Sequence, residues 1–343
     1  MRRDVVDPAV STGAPRLIDT FGRVHRDLRI SVTDRCNLRC TYCMTEHGMT
    51  FMDRSELLTF DEIVRVARVA KTAGVTSIRL TGGEPLIRPH LDRLVSSLAG
   101  LGFDDLALTT NAMTLAQHAS RLAGAGLTRV NVSCDSLRAE RFRTIRRRGD
   151  LATVLKGMDA AEAAGLGPLK VNVVLMAGIN DDEILDFAAF ARQTGRIVRF
   201  IEFMPLDEPG VWTRDAVVPG QQILDTIAAV WPLVACIDPE APSTAPAERF
   251  AFRDSRGEIG VIRSVTAPFC GTCDRLRLTA EGTMRNCLFG DDEVDLRRLL
   301  RHGCSDDELF QLLVRSVSSK RAGHGINDPA FIRPVRSMSM IGG

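Results

Sequence analysis

Between Leu28 and Phe203, six short β-rich runs alternate with amphipathic helical stretches, and this alternation leaves few folds open. Leu28–Thr33, Ser77–Thr81, Leu106–Thr110, Arg129–Cys134, Lys170–Met176 and Ile197–Phe203 read as strands. Thr59–Ala73 carries Phe60, Ile63, Val64, Ala67 and Ala70 at helical spacing; His90–Ala99, Leu115–Ala123, Leu151–Ala164 and Asp181–Thr194 repeat the pattern. Gly74, Gly126 and Gly165 follow three of these stretches as helix stops. Repeated strand–helix–strand units with right-handed crossovers build a parallel sheet with helices on its outer face. Six units close only part of an eight-stranded barrel, so the expected fold is an α/β incomplete (β/α)6 TIM-like barrel whose lateral mouth suits a bulky substrate. Beyond Pro205 the regularity fades, and Pro239–Pro246 (PEAPSTAP) is turn-rich.

Two cysteine triplets flank most of this pattern. Cys36, Cys40 and Cys43 form C-x3-C-x2-C, and Cys270, Cys273 and Cys287 form C-x2-C-x13-C. Each is one thiolate short of the four that normally complete a [4Fe–4S] cluster or a closed zinc site. A cluster held by three cysteines keeps one iron open for a small molecule. Two such triplets therefore argue for chemistry rather than scaffolding. The first follows the first strand, on the face where β/α barrels carry their active sites. A zinc knuckle is the competing reading there, but His47 is oddly spaced for a fourth ligand.

The remaining composition fits a cytoplasmic enzyme. With 44 basic and 43 acidic residues the formal charge is +1, so no bulk field favours nucleic acid or membrane. No apolar run approaches the ~20 residues that span a bilayer. Met1 to Thr20 lacks an apolar signal core. Nine clustered cysteines, an odd number, argue for metal ligation in a reducing compartment rather than disulfides.

The first triplet, with Tyr42 before its last cysteine, and Thr81-Gly82-Gly83-Glu84-Pro85 at the end of the second strand together resemble the radical S-adenosylmethionine superfamily. The stretch FCGTCDRLRLTAEGTMRNCL (Phe269–Leu288) is similar to the C-terminal cluster region of one family within it, the GTP 3′,8-cyclases of molybdenum cofactor biosynthesis. Further matches are Arg29 in LRISVTDRCNLRC, Arg79 in RLTGGEP, Thr110 in TTN, Ser133 in NVSCDSL, Lys170 in KVNVVLMAGIN, Met204 in IEFMP and the terminal Gly342-Gly343. The resemblance runs from about Leu17 to the last residue.

It implies a lyase with two [4Fe–4S] clusters and S-adenosyl-L-methionine as cofactors. Cys36, Cys40 and Cys43 would hold the cluster that cleaves S-adenosylmethionine; Cys270, Cys273 and Cys287 would hold a second, whose open iron takes the guanine edge. Tyr42, Gly83, Ser133 and Met204 would line the cofactor. Arg29, Arg79, Thr110, Lys170, Arg275, Leu276 and Arg277 would bind GTP. The 5′-deoxyadenosyl radical would take the C3′ hydrogen of GTP, the sugar radical would attack C8, and reduction would give 3′,8-cyclo-7,8-dihydro-GTP. Gly342 and Gly343 would reach the site and take part in catalysis. Implied partners are an external one-electron reductant and a downstream cyclic pyranopterin monophosphate synthase; the state would be monomer or homodimer. A peptide-modifying radical enzyme with an auxiliary cluster is the alternative, although such enzymes usually carry more C-terminal cysteines. An electron carrier or zinc ribbon would need four ligands per site.

The residues speak for part of this unaided. Strand positions i and i+2 face the same way, so Arg275 and Arg277 point together and offer fork-shaped donors for phosphate. Each arginine taken alone would read as a solvated surface residue. Arg146-Arg147-Arg148 reads as a solvated helix end, where positive charge suits the dipole. Cys134, Cys236 and Cys304 lack ligand spacing, and His324 reads as structural. Glu84 and Asp135 are candidates to position cofactor ribose or waters. The family's TTNG is TTNA here, and Ala112 is mild only if its backbone does not need positive φ. The expected organisation is an N-terminal extension over 1–16, the partial barrel over 17–235, and a cluster-binding portion with the Gly-Gly tail over 236–343, closing the barrel mouth.

Overall fold

A computed structural model describes residues 16–47, 50–207, 210–236, 244–334 and 336–342. Most of the 1–16 extension, most of Pro239–Pro246, and Gly343 lie outside the described residues. Strands β1 (Asp27–Ser31), β2 (Ser77–Thr81), β3 (Asp105–Thr110), β4 (Arg129–Ser133), β5 (Lys170–Leu175) and β6 (Ile197–Glu202) pair in parallel and in chain order. Every boundary falls within two residues of the sequence reading.

The region beyond Pro205 contributes more sheet than the sequence suggested. It supplies β7 (Leu233–Ala235), β8 (Glu248–Phe252), β9 (Glu258–Ile262), β10 (Arg275–Leu278), β11 (Thr283–Arg285) and β12 (Glu293–Asp295). β9 pairs in parallel with β6, and β10 in parallel with β1. The single sheet therefore runs β12-β11-β10-β1-β2-β3-β4-β5-β6-β9-β8-β7, with its parallel part extended from both edges and the ends left open. An incomplete barrel results, and both its added edges come from the part of the chain that carries the second triplet.

Helices α1 (Phe60–Thr72), α2 (Leu91–Ala99), α3 (Leu115–Gly124), α4 (Ala139–Arg146), α5 (Leu151–Ala163), α6 (Ile184–Thr194) and α7 (Gly220–Ala228) cover the outer face. α1 starts on a capping box: the Thr59 hydroxyl accepts from the Glu62 amide, and the Glu62 carboxylate accepts from the Thr59 amide at 2.7 Å. Its buried stripe, Ile63, Val66, Ala67 and Ala70, packs under the sheet. Short α8 (Arg297–Arg301) leads to α9 (Asp306–Ser318), which packs against α1 with Arg65 paired to Asp306 at 2.8 Å; α10 (Met338–Ile341) ends the chain.

Strand alternation separates two environments. Leu28, Ile30, Ile78, Leu80, Leu276 and Leu278 are buried under the helices, each contributing about 1.5–3 kcal/mol by burial. Their neighbours Arg29, Arg79, Arg275 and Arg277 point into the barrel. Its interior is therefore polar and positively charged.

Ala112 takes the left-handed conformation, φ +62°, which costs a non-glycine residue about 1–2 kcal/mol. The condition under which this departure from TTNG would be mild is thus not met. Gly157 of α5 makes room for it, since a β-carbon there would lie 2.7 Å from the Ala112 carbonyl oxygen.

Candidate active site

The first triplet sits on the loop after β1, and the Thr81–Pro85 turn braces it. The Gly83 amide donates to the Thr33 carbonyl at 2.7 Å and the Glu84 amide to the Arg35 carbonyl at 2.8 Å. A β-carbon at Gly82 would lie 2.6 Å from the Thr33 carbonyl oxygen, and one at Gly83 2.7 Å from that of Asp34. In this structure both glycines are required by loop packing, a reason separate from any approach to a cofactor.

On its other side the loop is stitched to the end of α4. The Arg39 amide donates to the Arg146 carbonyl at 3.2 Å and the Thr41 amide to the Ile145 carbonyl at 2.9 Å. Arg146 is not on a solvated face: it is 4% exposed, and its Nη1 donates to Cys40 Sγ at 3.1 Å. Its Nη2 lies 2.9 Å from Asp135 Oδ2. Only Arg147 and Arg148 are exposed, because the helix ends facing the loop rather than solvent. Asp135 also accepts from the Tyr42 hydroxyl at 2.6 Å and from the Val174 amide at 3.0 Å. Glu84 accepts from the Thr110 hydroxyl at 2.6 Å and the Asn111 amide at 2.7 Å; burial pushes its carboxyl up to about 7. Both carboxylates are thus engaged by protein donors. Burial pushes the Cys36 thiol up to about 12 and the Cys40 thiol in the same direction.

The second triplet faces the same cavity. Cys270 opens a single 3-10 turn that Cys273 caps, and Cys287 follows β11. Although burial raises the Cys273 thiol, Arg275 and Lys320 outweigh it and hold it down to about 7. Arg275 Nη2 lies 3.3 Å and Lys320 Nζ 3.5 Å from its sulfur. Arg23, held by Asp19, donates to the carbonyls of Cys270 at 2.7 Å, Ala322 at 3.0 Å and Arg321 at 2.7 Å, so the start of the chain clamps this loop. His324 accepts from the Ile326 amide at 3.2 Å and stacks on Phe289, a structural role beside the cavity. Among the described residues no group of three or more His, Cys, Asp or Glu side chains is gathered to hold one metal ion.

Between the triplets lies a floor of cations. Arg29 stands in register with Arg79 on one side and Arg277 on the other, on strands about 4.8 Å apart. Asp27, in register with Arg275, is the carboxylate among these four guanidiniums, 3.7 Å from Arg29 Nε. Burial, then Arg79 and Arg277, pushes the Arg29 guanidinium well below its usual range. The Nε groups of Arg29, Arg79 and Arg275 are buried without an acceptor. On the opposite wall Arg199 donates to Asn172 and Asn131, both at 3.0 Å. Lys170 belongs to the same field: burial, Arg129, Arg199 and Arg79 push its ammonium down to about 7.

Of the residues predicted from sequence, both triplets, Tyr42, Gly83, Ser133, Met204, Arg29, Arg79, Thr110, Arg275 and Arg277 line this one cavity. The side chains of Lys170 and Leu276 do not; Leu276 turns into the outer core. Arg23, Arg146, Arg199 and Lys320 were not predicted. No local pattern marks them, since each acts on residues distant in sequence.

Comparisons with known proteins agree with this geometry. Residues 30–191 match the Radical SAM superfamily and residues 196–326 match Molybdenum Cofactor Synthesis C. The GTP 3′,8-cyclase of Streptomyces coelicolor is 48% identical over 96% of this chain and 97% of its own length. GTP 3′,8-cyclase 2 of Mycobacterium tuberculosis is 47% identical over 99% and 95%. The enzyme of that name from Rhodopirellula baltica is 46% identical over 98% and 94%. Streptococcus suis SuiB bound to the precursor peptide SuiA shares the fold, with a TM-score of 0.60, 12% identity, and 90% of this chain and 68% of that one covered. At that identity it speaks for the fold alone, and the peptide-modifying alternative gains nothing from it. With near-full-length identity of this order, the chain belongs to the GTP 3′,8-cyclase family of the radical S-adenosylmethionine superfamily.

Proposed function

We propose that this chain cyclises GTP to 3′,8-cyclo-7,8-dihydro-GTP, a lyase reaction in molybdenum cofactor synthesis. One observation carries the reading to the substrate: four guanidiniums, Arg277 buried and Arg29, Arg79 and Arg275 half-buried, line a cavity walled by both cysteine triplets and crowd around the Asp27 carboxylate. Buried charge without a partner is costly, and a triphosphate brings about four negative charges to offset it. Arg29, Arg79, Arg275 and Arg277 would meet its oxygens with charge-assisted donors. Lys170 and Arg199 complete the field. Leu276 would contribute its backbone and Thr110 a hydroxyl oxygen, its proton being committed to Glu84.

Cys36, Cys40 and Cys43 would hold the family's [4Fe–4S] cluster, which with S-adenosylmethionine would supply a 5′-deoxyadenosyl radical. Tyr42, Gly83, Ser133 and Met204 form the cofactor's walls in this reading, with the Tyr42 ring set edge-on to Phe203. Cys270, Cys273 and Cys287 would hold a second cluster offering an open iron to the guanine edge. Lys320 and Arg275 favour the thiolate form of Cys273 that such a site requires. Met338 and Ser339 of the tail line the cavity with the barrel strands and would help to keep water from the reacting atoms.

The 17–235 and 236–343 portions act together in this reading, because β9 and β10 of the second extend the sheet of the first. An external one-electron donor, delivery to a cyclic pyranopterin monophosphate synthase, a cytoplasmic setting and a monomer or homodimer complete the proposal. Among the described residues no helix is long and apolar enough to cross a membrane.

Two variants test the division of labour. Cys36→Ala abolishes S-adenosylmethionine cleavage, whereas Cys270→Ala retains some cleavage and loses cyclised product. Reconstitution gives about eight irons per chain, as two four-iron clusters require. Equal cleavage by both variants, or stable zinc with fewer than about four irons, contradicts the assignment.

A further inference from the structure

We propose that Arg146 is a positioning residue of the first cluster that also raises the cluster's reduction potential, acting through its hydrogen bond to Cys40 against the counter-charge of Asp135. The inference rests on the family's cluster at Cys36, Cys40 and Cys43; the second triplet has no part in it.

Three observations lead to it. The guanidinium is buried in the cavity wall and reaches Cys40 Sγ at 3.1 Å, so a charged donor points at a ligand sulfur. Its other groups are poorly served by protein: Nη2 lies 2.9 Å from Asp135 Oδ2 without hydrogen-bond geometry, and Nε has no acceptor. An anionic, sulfur-rich group beside Cys40 supplies what these N–H groups lack. Finally, the backbone of residues 39–41 is tied to that of 145–146, which fixes the arginine relative to the cysteine.

The consequence follows from charge. Taking one electron from an external one-electron donor adds a unit of negative charge to the cluster, and no bond is made or broken. A buried cation is weakly screened, and a hydrogen bond to a ligand thiolate draws density from iron, so both favour the reduced form. Asp135 opposes this in part. It also holds the Tyr42 hydroxyl, so one carboxylate links the donor to a residue in the cofactor's wall. A purely structural ion pair makes a different prediction: its loss lowers stability and leaves the potential where it was.

The test is a redox titration of the anaerobically reconstituted full-length chain, followed by electron paramagnetic resonance. The signal that changes when S-adenosylmethionine is added to the parent chain identifies the first cluster, independently of the proposal. Iron content is measured in parallel. Arg146→Gln keeps the parent's iron and shifts the potential downward, enough to cut the reduced fraction about tenfold at a fixed potential, which is about 59 mV for one electron. Arg146→Lys, which keeps the charge, recovers part of the shift. Asp135→Asn, which removes the counter-charge, shifts the potential upward. Unchanged potentials in Arg146→Gln and Asp135→Asn overturn the proposal. Should Arg146→Gln fail to hold iron, Arg146→Lys decides: a downward shift from the parent, as the hydrogen bond to Cys40 is weakened, sustains the proposal and an unmoved potential overturns it.

Discussion

The Arg277 guanidinium donates to the backbone carbonyl of Gly342, tying the end of the chain to the cation floor of the cavity. Gly342 has φ +75°, and a β-carbon there would lie 3.0 Å from Ser31 Cβ and 3.1 Å from Thr81 Oγ1. Both contacts lie at the C-terminal ends of β1 and β2, beside the first triplet's loop. Ile341 is buried just before it. The tail is a seated element of the site, and glycine is what its seat admits.

Removing Gly342 and Gly343 should therefore misplace the reaction rather than unfold the protein. We expect iron content and melting temperature to stay near those of the parent, and GTP affinity to change little. Product formation should fall about 10- to 100-fold, the usual effect of an ångström-scale misplacement. Full turnover by the truncated chain, measured by product chromatography, would show the tail to be dispensable.

Arg79→Ala and Arg277→Ala each remove a guanidinium from the cation floor, the half-buried Arg79 with an Nε that has no acceptor and the buried Arg277 bonded to the Gly342 carbonyl. Each should weaken GTP binding by ~1.5–3 kcal/mol, the range of a lost charge-assisted hydrogen bond. Guanosine, without phosphates, should respond weakly to either change. Calorimetric titration of both ligands separates this from misfolding, which would weaken the two alike.

Lys170 predicts a proton linkage. In the free chain its ammonium loses its proton through about pH 7, because of burial and then Arg129, Arg199 and Arg79. A triphosphate stabilises the charged form, so at pH 8 binding should take up close to one proton, and affinity should fall as pH rises from about 7 to 9. The folding sign is opposite. The unfolded chain holds this proton up to 10.5 and the folded chain only to about 7, so Lys170 lets stability rise with pH across that window. Titrations in two buffers of different ionisation heat read the uptake, and Lys170→Met should abolish it.

Ala112 and Gly157 make a paired stability test. Ala112→Gly relieves the left-handed strain but forfeits a buried methyl, so the net change in unfolding free energy should stay within about 1 kcal/mol. Gly157→Ala drives a methyl towards the Ala112 carbonyl and should cost about 1–3 kcal/mol. Denaturant unfolding measures both, and a neutral Gly157→Ala would mean that α5 shifts freely.

What was legible in the sequence follows from how each residue is bound. The six barrel strands could be read because their outward positions alternate apolar residues under helices that carry their own caps and stops. β9 could not, because EIGVI joins the barrel only through pairing with β6, remote in the chain; RLRL could be read as extended, but not its place beside β1. α4 was legible only at its Arg146 end, because half of AERFRTIR is charged and only Phe142, Ile145 and Arg146 are buried. The cysteines and the Arg275–Arg277 pair were visible through spacing. Arg146 was misread because positive charge at a helix end usually meets water; its partner Cys40 lies 106 residues away. Lys320 is 47 residues from Cys273 and gives no local sign of that contact.

The central claim is that this cavity directs a 5′-deoxyadenosyl radical to the ribose of GTP. Anaerobic reaction of the reconstituted chain with GTP deuterated at C3′, S-adenosylmethionine and dithionite tests it most directly, with mass analysis of both products. The account predicts deuterium in 5′-deoxyadenosine together with a cyclised product isomeric with GTP. Unlabelled 5′-deoxyadenosine beside GTP recovered intact would contradict it.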